Sequence, residues 1–186
     1  MSRFVDRGAV IAGWVGVGMA VTIDVSFLLV IPIEPVVWLL APVAGLIIGY
    51  YANSRADRRT GPWPRILANG AWAGIVTAVA MAGLMLGTKA IFFAADDGYR
   101  DASSGGPIAG CRVGADCVYQ RYLAAGRGPE FARAGVTDAS SFTSFYWREQ
   151  LGTAGIVLVL CAAGGVGGAA AYGVVRPRGG LSAAST

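Results

Sequence analysis

The chain has no histidine, and Lys89 is the only lysine among its 15 basic residues. Without histidine there is no bis-histidine haem, no histidine-ligated zinc or copper, and no histidine general base. Charge is scarce as well, at 14% of residues against roughly 25% in an ordinary soluble domain. Two cysteines in the polar segment without histidine make a poor zinc site. No Walker loop, dinucleotide fingerprint, Gly-x-Ser-x-Gly elbow or paired-carboxylate motif occurs in the sequence. These absences lead us to expect no catalytic residues, no cofactor and no metal. A membrane enzyme working at the outer face through Arg121, Glu130 or Asp138 is a minor reading. A retinal-type Schiff base on Lys89 is set aside for want of any supporting motif.

Apolar residues, at 55%, come in long runs. Crossing a hydrocarbon layer of about 30 Å takes about 20 helical residues. Four runs meet that length, near Ala9–Ile31, Val36–Ala52, Ala68–Ala95 and Leu151–Val175. The expected fold is an all-α integral membrane protein, one four-helix membrane domain over residues 1–186, with a long loop at 96–150 between the third and fourth helices. A positive start before an apolar run can mark a secretory signal, but the first run outlasts a typical signal core of about 7–15 residues. It therefore reads as a retained span.

The net charge of +4 does not point to nucleic acid, because the arginines are scattered over loops. They read better as topology signals, since Lys and Arg collect in short cytoplasmic loops. The amino terminus, the Asn53–Arg65 segment and the carboxyl terminus carry eight arginines together, and the Pro32–Pro35 turn carries none. Both termini are then cytoplasmic and the 96–150 segment is extracytoplasmic, in a plasma (inner) membrane of bacterial type. Lipid is the expected surrounding, with a second copy or other membrane proteins as candidate partners. Trp63, Trp72, Phe142, Phe145, Tyr146 and Trp147 are expected to anchor at the membrane–water interface. Pro42 falls inside the second span, where it removes one helical hydrogen bond.

Small residues recur four apart, at Gly45 and Gly49, Gly70 and Gly74, Gly83 and Gly87, and Gly164 and Gly168. Such spacing lets helix backbones approach closely in lipid. Internal packing is the simpler reading, and an oligomer contact along one stripe is the other. In the polar segment Cys111 and Cys117 flank Gly114. An extracytoplasmic position favours a disulfide closing this small loop, whereas the Cys-x-x-Cys spacing of thiol oxidoreductases is missing. Cys161, in the fourth span, reads as a packing residue.

Asp24 and Lys89 are the two charges inside spans. At 1.5 Å per residue both lie about 10 Å below the same helix ends. They are expected at one depth, as a structural ion pair or as elements of ion passage. Asn69, Thr77 and Thr22 do not extend them into a relay. The function expected from these features is non-catalytic: an accessory or interaction subunit of a membrane or envelope complex that presents a disulfide-closed outer segment. The alternative is a small transporter or channel component using Asp24 and Lys89.

Overall fold

A computed structural model describes residues 5–30, 34–56, 61–95, 111 and 113–175, with backbone alone at 29, 30, 34 and 35. Parts of the segments read from the sequence lie outside these residues: the first four residues, the Pro32–Ile33 part of the turn, 57–60 of the Asn53–Arg65 segment, 96–110 of the loop, and the carboxyl terminus from 176. The described elements are α1 (Arg7–Asp24), a π-helical segment (Val25–Val30), α2 (Glu34–Ser54), α3 (Trp63–Ala95), α4 (Ala115–Ala124), α5 (Gly128–Ala134) and α6 (Ala139–Val175). Among the described residues the fold is all-helical, and α1, α2, α3 and α6 are long and apolar enough to cross a membrane.

Within the 96–150 segment the sequence itself offers short helical turns at Tyr119–Ala125 and Pro129–Ala134 and a helix start at Thr137–Trp147, where Asp138, Ser140 or Ser141 can cap. The segment's described part holds α4, α5 and the first turns of α6, which starts at Ala139 rather than near Leu151. Ser141 explains the early start: its backbone N–H donates to Asp138 Oδ1 at 2.7 Å, satisfying a donor that the first helical turn leaves free. The apolar run itself begins only at Leu151, because Arg148, Glu149 and Gln150 precede it. At 37 residues α6 is about 56 Å long, roughly twice what the hydrocarbon layer requires. Phe93 near the end of α3 still reaches Tyr146 and Trp147, so the first turns of α6, before Tyr146, extend beyond α3 as a post.

Side-chain size sorts this protein opposite to a soluble bundle. The interior is rich in alanine (Ala9, Ala12, Ala20, Ala41, Ala44, Ala73, all buried), whereas large apolar residues such as Trp14 and Val159 face outward, 74% and 68% exposed. Lipid explains the pattern. It solvates leucine and tryptophan as well as a protein core does, so only close backbone approach rewards helix association. α2 and α3 lie between α1 and α6. α1 and α3 run parallel in a fixed register, marked by Asp6 with Asn69 at one end and Asp24 with Thr88 at the other, offsets of 63 and 64 residues.

The predicted glycine stripes divide. A side chain at Gly45, Gly49, Gly70, Gly74, Gly164 or Gly168 would strike backbone or Ala169 on a neighbouring helix, so these positions form the α2–α3–α6 contact. Gly83 and Gly87 have no atom within 4 Å of where a side chain would begin, so that stripe faces outward. Pro42 sits within α2, and its carbonyl is met by Gly164 of α6, where a side chain would not fit.

Candidate functional site

Two structures deserve a functional reading: a small helical cap on the projecting end of α6, and a layer of buried polar groups beneath it. The cap begins at a disulfide between Cys111 and Cys117, as the sequence suggested. Gly114 between them has φ of +102°, a backbone conformation that L side chains avoid. It turns the chain so that α4 can start at once. Cys117 is buried in the first turn of α4, so the disulfide pins the entering chain to the cap interior.

The cap interior is aromatic. Val118 and Tyr122 of α4, Phe131 of α5, Val136, and Phe142 and Tyr146 of α6 form one buried cluster. Phe142 and Tyr146, expected as interface anchors, therefore lie buried inside the cap, with Phe145 and Trp147 half-buried around them. Ring centroids lie 5.3 Å apart for Tyr122–Phe142 and 5.4 Å for Phe131–Phe142. Edge-to-face packing of this kind adds about 0.5–1.5 kcal/mol per pair beyond area burial. Phe93 of α3 touches Tyr146 at 4.9 Å, which joins the cap to the bundle. Trp63 and Trp72 stand half-exposed near the other end, and the Trp63 ring lies against Gly173.

Arg127 clips the cap shut. Its Nε and one terminal nitrogen donate to the two Glu130 oxygens at 2.8 Å each, and that nitrogen reaches Glu149 of α6 at 3.3 Å. The guanidinium also lies 4.9 Å from the Tyr122 ring centre. The Arg127 hydrogen bonds hold the Glu130 carboxyl below its ordinary range, and the backbone N–H of Ser141 does the same for Asp138. A carboxyl whose folded value is depressed contributes stability above its unfolded value, and that contribution is lost as pH falls through the folded value. Both shifts have this sign. Acidification from neutral pH through the carboxylate range is therefore expected to loosen the cap before the bundle, visible as earlier amide exchange in α4 and α5. Arg127→Gln should reduce the acid dependence; an unaltered acid dependence would refute the clip.

Beneath the cap lies the polar layer. Asp24 and Lys89 are both buried, as are Thr88, Gln150 and Arg121. The Thr88 hydroxyl donates to Asp24 Oδ2 at 2.8 Å. Among the described residues no ion pair joins Asp24 to Lys89. The Tyr146 hydroxyl donates to the Lys89 carbonyl at 3.4 Å, and Gln150 follows one turn further into the bundle on the same face of α6.

Comparison with family models, with curated proteins and with solved structures returned no match. Among the described residues no group of three or more histidine, cysteine or acidic side chains is placed to hold a metal.

Sequence reasoning overlooked a second polar cluster at the opposite end. The Asp6 N–H donates to Asn69 Oδ1 at 3.0 Å, and the Asn69 amide donates to Asp6 and to Asn53. The Asn53 amide in turn donates to the carbonyls of Gly49 and Ile66, at 3.1 and 3.0 Å. Every member is engaged, which suits a clamp on α1, α2 and α3. An apolar core of Ala20, Ala44, Ala78, Met81 and Val157 occupies the bundle interior between this clamp and the polar layer under the cap. Two asparagines at helix ends facing a common partner were the available signal. Gln150 had none, because only helix packing reveals that it is buried, and Arg121, named from the sequence as a candidate at the outer face, is buried in α4.

Proposed function

We propose that this is a non-catalytic subunit of a bacterial inner-membrane complex, with both termini cytoplasmic and the cap outside, and that the cap docks a partner protein. The observation that carries this reading is the continuity of α6. One helix serves as a core element of the bundle and as the post of the cap, with Phe142 and Tyr146 interlocking α4 and α5 around it. A surface held by such a post is pre-organised, which lowers the ordering cost of association. The arginine distribution supports the orientation.

One experiment tests orientation and docking together. Ser144→Cys lies on an exposed part of the cap and Arg7→Cys on the exposed start of α1. The native cysteines do not compete, since Cys111 and Cys117 are bonded and Cys161 is buried. In intact cells an impermeant photo-crosslinking maleimide should react at Ser144→Cys and not at Arg7→Cys. Illumination should then yield a discrete adduct with a second membrane or envelope protein. Reaction at Arg7→Cys alone would reverse the orientation. A labelled cap that yields no adduct would remove the docking role.

A further inference from the structure

Asp24 occupies an unusual place that the docking role does not use. The register of α1 against α3 turns it toward Thr88, and the side chain is only 7% exposed. The helix widens from α to π at the next residue and stays so through Val30. Segments of π-helix are rare and collect at functional positions. Oδ2 has its donor in Thr88, but no donor among the described residues reaches Oδ1, which is also buried. The crevice around it is lined by Ala20, Ile23, Leu28, Val37 and Met81 and is too narrow to admit a water molecule.

The charged groups nearby do not compensate it directly. On α3, Lys89 follows Thr88 but makes no ion pair with Asp24 among the described residues. On α2, the only ionisable side chains besides the tyrosines belong to Glu34, itself an acid, at the first residue. On α1, the other charge, Arg7, is at the far end, about 25 Å away along the helix. α6, the remaining long helix, lies on the far side of α2 and α3. A carboxylate oxygen without a donor in aliphatic surroundings bears a large desolvation cost, and a proton removes the charge at the oxygen that lacks a partner.

We propose that Asp24 is a proton-binding site within the membrane domain, with the proton on Oδ1 at neutral pH. The proton comes from the aqueous phase, a carboxylate becomes a carboxylic acid, and no other bond changes. Thr88 continues to donate to Oδ2, which then has carbonyl character. The proposal is independent of docking by the cap.

Infrared spectroscopy of the full-length protein in lipid nanodiscs at pH 7 tests it. The expected result is a protonated-carboxyl C=O band that shifts down in D₂O, survives in Asp138→Asn and is lost in Asp24→Asn. In Thr88→Val the band should move to higher frequency, because its oxygen loses a donor. Absence of the band from the native protein, or its persistence in Asp24→Asn, would overturn the proposal. If Asp24→Asn does not fold, Thr88→Val decides: a shifted band supports the assignment and an unshifted one overturns it.

Discussion

Gly165→Leu is expected to unseat α6 from the bundle, the largest single-residue effect in the membrane domain. A side chain starting at Gly165 would lie 2.7 Å from the carbonyl oxygen of Gly70 and 2.7 Å from the Cα of Gly74, both on α3. Gly49 of α2 meets the Gly165 carbonyl from another direction. Three backbones therefore converge at this point, and none of the obstructing atoms belongs to a flexible side chain. Overpacking a core ordinarily costs about 1–3 kcal/mol because side chains give way. Here whole helices must separate, so the cost should reach or exceed about 3 kcal/mol, the top of that range. Gly83→Leu, on the outward stripe with nothing within 4 Å, is the matched control and should change stability by less than about 0.5 kcal/mol. Denaturant titration in detergent micelles, followed by helicity and by size-exclusion profile, separates the two. Equal effects would mean that the inward and outward assignment of the stripes is wrong. A strong effect from Gly83→Leu alone would place an intermolecular contact there.

The second large effect belongs to the cap. Phe142 is fully buried and touches the rings of Tyr119, Tyr122, Phe131 and Tyr146. Truncating a buried phenylalanine to alanine costs about 3–5 kcal/mol, combining lost burial with the cavity left behind. α4 and α5 have 10 and 7 residues, too short to persist as helices without packing. Phe142→Ala should therefore release both from α6 while the bundle stays folded. The expected signature is loss of near-ultraviolet aromatic ellipticity and rapid tryptic cleavage after Arg127 or Arg133, with the long helices still protected. Phe145→Ala, at a half-buried neighbour, should have a smaller effect. A cap that resists trypsin as well as the native protein would show that α4 and α5 are held by something other than this cluster. The outcome also bears on docking, because a detached cap should lose the crosslinked adduct at Ser144→Cys.

Much of this architecture was legible in the chain because the signals are local. Hydrocarbon thickness sets a length, and four apolar runs meet it without reference to one another. Gly114 between two cysteines marks a turn, and Asp138 three residues before Ser141 marks a helix start. Azimuth and partner choice are different, because they depend on which neighbour each helix face meets. Gly70 and Gly83 are alike as letters in one apolar helix, yet one meets α6 and the other faces outward. Phe142 and Tyr146 carried the composition of an interface belt, and only α4 and α5 folding over α6 put them inside. Asp24 is the sharpest case. Counting residues from the helix ends set it level with Lys89, the neighbour of Thr88. The register of α1 against α3 brought it to Thr88, one residue earlier. A helix turns about 100° per residue, so that single step directs the carboxylate to a hydroxyl instead of an ammonium. The sequence by itself determined which stretches are long and apolar enough to cross a membrane and which cysteines join. Only the tertiary structure decided which faces meet, because helix rotation is set by the small residues that permit contact and not by the apolar residues that permit insertion.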